Sequence, residues 1–194
     1  VHLPTETYKA LATTMLVETG ADILFGTVAD SARTTDGRVT GVYAANKSGR
    51  QAISSKVVVD ATADGNVAAS AGCAFDKGDP SDGRMQNVNF RFEIHDVDWD
   101  RYEAQKPSED VLTGLFTEAV DRGKLHPPNR LHLPASKAFP YDPISKTVKF
   151  SYWEMDCDAS DAVDVSTQLA QCHRAALELM ALYRAHLPGF ENAK

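Results

Sequence analysis

The residues best placed to do chemistry are Asp60-Ala61-Thr62-Ala63-Asp64-Gly65-Asn66, a run with two carboxylates, a hydroxyl and an amide and no bulky side chain. Ahead of it, Val57-Val58-Val59 is a β-branched run that reads as a short buried strand of a parallel sheet. Behind it, Val67-Ala68-Ala69 begins a helical turn, with Asp64 or Asn66 available as N-cap. A strand, tight turn and helix in this order turn helix N–H groups outward at the carboxyl end of a strand. Open α/β sheets hold ligands there, anionic ones above all. A small-residue turn of this kind also occurs with no ligand at all.

A second set lies on Gln86 to Ile94, which alternates strictly. Val88, Phe90, Phe92 and Ile94 fall on one side and Asn87, Asn89, Arg91 and Glu93 on the other, as in a half-buried antiparallel strand. Gln86, Asn89 and Arg91 are the candidate substrate contacts, and a solvated sheet face is the alternative. Histidines 95, 126 and 132 are scattered without a carboxylate at ligand spacing, so no metal site is expected. No nucleophile motif, paired-carboxylate spacing or Gly-x-x-x-x-Gly-Lys loop occurs.

The positioning elements follow from periodicity and punctuation. Thr5 to Thr19 carries Tyr8, Leu11, Ala12, Met15 and Leu16 at three-and-four spacing between Pro4 and Gly20, an amphipathic helix. Ile23 to Val28 reads as a strand. Gly37 and Gly49 then divide Ala29 to Thr35, Arg38 to Asn46 and Gln51 to Ser54 into an antiparallel meander. The cluster from Asp76 to Asp82 is a candidate boundary. Beyond the alternating strand, Trp99 to Lys106 and Ser108 to Arg122 are expected to be helical, and prolines keep Leu125 to Pro143 extended. Thr147 to Trp153 is expected to return as a strand beside Gln86 to Ile94, with Tyr152 and Trp153 either stacking on a ligand or joining the core. A long helix from about Ser166 to His186 closes the order, stopped by Pro188-Gly189.

Thr19 to Gly78 resembles the middle of the FAD-dependent oxidoreductases of the glutathione-reductase-like two-dinucleotide superfamily. Asp60-Ala61-Thr62-Ala63-Asp64-Gly65 matches their strand ending in Ala-Thr-Gly, usually followed by Asp. Thr19 to Val28 resembles the strand leading to the adenine pocket, and Asp36-Gly37-Arg38-Val39-Thr40-Gly41-Val42 the hairpin. The resemblance extends more loosely through Leu187-Pro188-Gly189-Phe190-Glu191. It implies FAD as cofactor and hydride transfer with a small organic substrate. Val28 would meet adenine through its backbone, and Ala61, Thr62, Ala63, Asp64 and Gly65 would line the nucleotide near the flavin. Three departures stand beside it. The Gly-x-Gly-x-x-Gly that clamps the pyrophosphate is missing, nothing after Phe190 supplies the further Gly-Asp segment over the flavin, and position 63 is Ala where the family usually has Gly.

The whole therefore reads as α/β (α+β). A partial FAD/NAD(P)-binding-like domain with a β-meander spans 1–84, and a mixed substrate-type domain with a long C-terminal helix spans 85–194. The expected function is that of a central fragment of an FAD-dependent oxidoreductase, binding FAD weakly or not at all as this chain alone. The rival is a non-catalytic α+β binding or interaction module. A net charge of −7 without a basic cluster argues against nucleic acid and anionic membrane surfaces. Cys73, Cys157 and Cys172 are expected to be buried thiols in a cytoplasmic, reducing setting. No apolar run is long enough to span a bilayer, and an exposed helix stripe or sheet edge would show as association.

Overall fold

The computed structural model describes residues 4–86, 88–127, 141–143, 145–155 and 157–194, with the backbone alone at 150–155. It is a mixed α and β chain of two compact units, Val1–Asp76 and Lys77–Lys194. Each sheet is small and antiparallel, and the last helix is long, in keeping with the fold class read from the sequence.

In the first unit, α1 (Thr5–Glu18) precedes β1 (Val28–Thr35), β2 (Arg38–Asn46), β3 (Gly49–Ser54) and the short α2 (Asn66–Ser70). The strands form a meander in the order β1-β2-β3. Its first turn places Asp36 and Gly37 both at positive φ between the paired residues Thr35 and Arg38, the twist a tight hairpin requires. In the second, the Asn46 side chain accepts from the Ser48 N–H at 2.9 Å. At Gly41 a Cβ would lie 2.0 Å from the Ile53 carbonyl oxygen, so only glycine lets β2 and β3 approach so closely. Helix α2 lies on β1, where Ser70 Oγ accepts from the Ala32 N–H at 2.7 Å.

Two expected strands do not form. Of the strand expected over Ile23 to Val28 only Val28 joins a ladder, as the first residue of β1, and residues 57–60 join none, because no neighbouring strand among the described residues offers hydrogen-bonding partners. Val57 and Val59 are 77% and 84% exposed, not buried. Helix α1 forms where its periodicity predicts and Gly20 follows it at positive φ, yet no residue of it is buried.

The second unit contains β4 (Val88–Ile94), α3 (Trp99–Gln105), α4 (Glu109–Asp121), β5 (Tyr141–Asp142), β6 (Thr147–Met155) and α5 (Ala162–His186). The sheet order is β4-β6-β5, and Val88 to Ile94 pairs with Met155 back to Val148, the return predicted for the second strand. Phe90 and Ile94 face a core completed by Leu112 and Phe116 of α4 and by Leu179 and Tyr183 of α5. Ser108 Oγ accepts from the Val111 N–H at 3.4 Å and starts α4 where expected. Helix α5 begins four residues before Ser166, because Asp161 accepts from the N–H groups of Val163 and Asp164 at 2.8 and 3.2 Å. Cys172 is buried, but Cys73 is exposed and Cys157 half-buried, so the expectation of three buried thiols holds for one of them. His132, most of the Pro-rich stretch and the side chains of Tyr152 and Trp153 lie outside the described residues.

Candidate functional site

The turn after Val59 is organised by one carboxylate. Asp60 Oδ1 accepts from the Thr62 N–H at 2.9 Å and the Thr62 hydroxyl at 2.7 Å, while Oδ2 accepts from the Ala68 N–H at 2.8 Å. Thr62 Oγ1 in turn accepts from the Asn66 N–H at 3.1 Å. Amides at the start of α2 are thus satisfied by Asp60 and Thr62 rather than by Asp64 or Asn66, the caps its local sequence suggests. No short-range pattern signals a cap that reaches from Asp60 to Ala68. The Thr62 hydroxyl, followed by the Ala68 and Thr62 N–H groups, holds the Asp60 carboxyl below its ordinary range despite some desolvation.

The Asp60 carboxylate thus faces the Thr62 and Ala68 amides. What remains accessible is Ala61, Ala63 and Asp64, all exposed. Ala63 is not among the non-glycine residues at positive φ, which are Asp36, Asp96 and Lys146. The left-handed position is Gly65, with φ 64° and open space where a Cβ would project. Alanine at 63 therefore causes no left-handed strain. Val28 opens β1 opposite Ala45 and is exposed, on the strand that Ser70 ties to α2.

In the second unit Asn89 and Arg91 are exposed on β4. Gln86 precedes the strand and lines a cavity of about 410 Å³ with Asp79, Asp82, Arg84 and Met85. Arg84 and Met85 also line a cavity of about 350 Å³ with Lys77, Cys157, Asp158 and Asp164. Its geometry is fixed by Lys77 Nζ, which lies 3.0 Å from Asp158 Oδ2 and 2.6 Å from Ser160 Oγ. The Ser160 hydroxyl and then Lys77 hold the Asp158 carboxyl down at about 2. Asp79 closes the loop before Arg84: its carboxylate accepts from Ser81, and its N–H donates to the Arg84 carbonyl at 2.8 Å. The sequence marks this Gly- and Asp-rich run only as a boundary, because its side chains meet Cys157 and Asp158 through the fold. Among the described residues no group of His, Cys, Asp or Glu is arranged to hold a metal, and no helix is long and apolar enough to cross a membrane.

Comparison with known proteins gives no match among curated proteins or solved structures. The family described as FAD dependent oxidoreductase matches residues 3–194, which takes in both the Asp60 turn and the second unit. The chain belongs to the FAD dependent oxidoreductase family.

Proposed function

We propose that Val1–Asp76 is the later half of an FAD-binding domain of the glutathione-reductase-like two-dinucleotide type. Lys77–Lys194 is then the substrate side of the same enzyme. The observation that carries the reading is the state of Val57-Val58-Val59. A β-branched run built for a parallel sheet ends in a turn of flavoprotein type, yet it has no strand partner among the described residues and Val57 and Val59 face water. Parallel strands from a Gly-x-Gly-x-x-Gly βαβ segment outside these 194 residues would pair with it and bring the pyrophosphate clamp that this chain lacks.

Bound FAD supplies the hydride chemistry. The chain's own residues orient it: Val28 through its backbone at the adenine, and Ala61, Thr62, Ala63, Asp64 and Gly65 along the nucleotide, held in shape by Asp60. Gln86, Asn89 and Arg91 face a small organic substrate. Three free thiols support a reducing, cytoplasmic setting. Without the clamp, this chain by itself binds FAD weakly and is inactive.

The test is an FAD titration followed by flavin fluorescence, first with this chain and then with the gene's upstream βαβ segment joined to it. Binding confined to the extended protein is the expected result. Absence of binding in both forms overturns the flavin reading and leaves the non-catalytic interaction module.

A further inference from the structure

Strand β4 stands at the edge of its sheet. Among the described residues it has one ladder partner, β6, and no strand lies beyond it in the order β4-β6-β5. Successive residues of a strand turn their N–H and C=O groups to opposite edges. Ile94 pairs with Val148 of β6, whereas the next residue, His95, exchanges both backbone bonds with Lys194. The His95 N–H donates to the Lys194 carbonyl at 2.8 Å, and the Lys194 N–H donates to the His95 carbonyl at 3.0 Å. His95 therefore faces the outer edge, and Glu93, Arg91 and Asn89 turn their backbone groups the same way. No strand receives them among the described residues.

Two residues that exchange both bonds form the hydrogen-bonded step of an antiparallel ladder, so Lys194 is placed as the first residue of a strand directed back along β4. Its position is fixed from several sides. Phe190 and Ala193 are buried. The Gly189 carbonyl accepts from the Asp98 N–H at 2.8 Å, so closely that a Cβ at 189 would lie 2.3 Å from the Asp98 carbonyl oxygen. Arg184 Nε donates to the Ala193 carbonyl at 2.7 Å, and Lys194 Nζ lies 2.9 Å from Asp96 Oδ2. An edge meant to stay bare is commonly blunted by Pro, Lys or a bulge. β4 contains neither Pro nor Lys, and the irregularity in its ladder falls on the other strand, since Phe90 to Phe92 faces the longer step from Trp153 to Phe150. Its charges, Arg91 and Glu93, are opposite in sign and exposed, and a strand with matching charges pairs with them. A second copy of β4 cannot run the length of this edge, because Lys194 already fills the place opposite His95.

We propose that the outer edge of β4 docks a strand formed by the polypeptide that leads on from Lys194 in the full-length protein, antiparallel to β4 and in the register set by the His95–Lys194 pair. The second, fourth and sixth residues after Lys194 then stand opposite Glu93, Arg91 and Asn89, so a cation suits the second and a carboxylate the fourth. The first, third and fifth share the face of Ile94, Phe92 and Phe90 and are apolar. Tethering at Lys194 makes the pairing intramolecular and removes the cost of association. This edge lies within the second unit and does not depend on the flavin reading.

The test is amide hydrogen exchange by NMR on this chain, on the chain carrying the roughly ten residues that follow Lys194 in the gene, and on the chain carrying Val-Lys-Val-Glu-Val-Thr-Val after Lys194 as a strand of set pattern. In this chain Glu93, Arg91 and Asn89 should exchange about tenfold or more faster than Phe90, Phe92 and Ile94. Each extension should slow Glu93 and Arg91 by about tenfold or more. Each should also bring Ile94 and Phe92 Hα into contact with Hα of the first and third added residues, the pairs that face each other without exchanging hydrogen bonds. Proline as the second added residue should abolish the protection, and exchanging the Lys and Glu of the designed extension should reduce it about two- to fivefold. Protection of Glu93 and Arg91 already present in this chain, a gene with no codons after Lys194, a native extension that leaves exchange unchanged while the designed one slows it, or no slowing with either would each overturn the proposal.

Discussion

In Lys77–Lys194, Ile94, Leu112, Phe116, Leu179, Tyr183 and Phe190 are withdrawn from water around one core. Among the described residues of Val1–Asp76 the buried apolar side chains are Ala44 and Val67. The first unit instead exposes Tyr8, Leu11, Met15 and Leu16 along α1, Phe25 after it, and Val57 and Val59. Both units have well-made turns and caps, so local chemistry does not separate them. What separates them is whether the apolar face of each element meets another element. The second unit is organised by tertiary burial, the first by backbone hydrogen bonds and a single carboxylate.

The comparison is tested most severely in the second unit. Phe116→Ala removes a fully buried ring packed edge to face on Tyr183. It should cost about 3–5 kcal/mol in denaturant unfolding followed by near-UV circular dichroism. A loss below about 1 kcal/mol would mean that this core holds the unit far less than its burial indicates. In the first unit the matching lesion is to the backbone. Gly41→Ala drives a Cβ onto the Ile53 carbonyl and should cost about 2 kcal/mol or more, read as faster amide exchange along β2 and β3. Unchanged exchange would show that the meander accommodates a Cβ at this position.

A smaller, local effect is expected at the turn. Because the folded Asp60 carboxyl titrates below its ordinary value, its contribution is complete above about pH 4 and is lost as pH falls through the lowered range. Amide protection at Ala68 should fall in that window and be weak at every pH in Asp60→Asn. A flat profile in the parent chain would remove Asp60 as the organiser of the turn. The smallest effect belongs to the pair Val57→Glu and Val59→Glu. In this chain they should change stability by less than about 0.5 kcal/mol, since both side chains already face water. In the upstream-extended protein the same pair should abolish FAD binding. Equal behaviour in the two contexts would break the view that these valines are built for strands outside the chain.

The parts of the fold that the sequence discloses are those decided within a few residues. Asp36-Gly37 and Gly49 punctuate the meander, Val88 to Ile94 alternates, Ser108 starts α4, and Pro188-Gly189 ends α5. What it does not disclose depends on a partner. Three β-branched residues at 57–59 have a strand's propensity, but a strand is a relation between two segments, and no second segment is present among the described residues. The candidate site divides in the same way. The Asp60 to Gly65 turn is visible as composition, whereas the carboxylate that reaches Ala68 and the cavity that joins Gln86 to Asp79 and Arg84 arise from folding over distances that no motif spans.

The exposed Val57 and Val59 also bear on how the chain stays in solution. β-branched residues left in water offer an edge on which a second copy can pair. Lys56 and Asp60 bracket the run with opposite charges. Like charges stacked in register would repel between copies, so the two residues act as gatekeepers at either end. Asp60 therefore has two tasks in one place: it sets a charge beside the exposed valines, and it holds the turn that follows them.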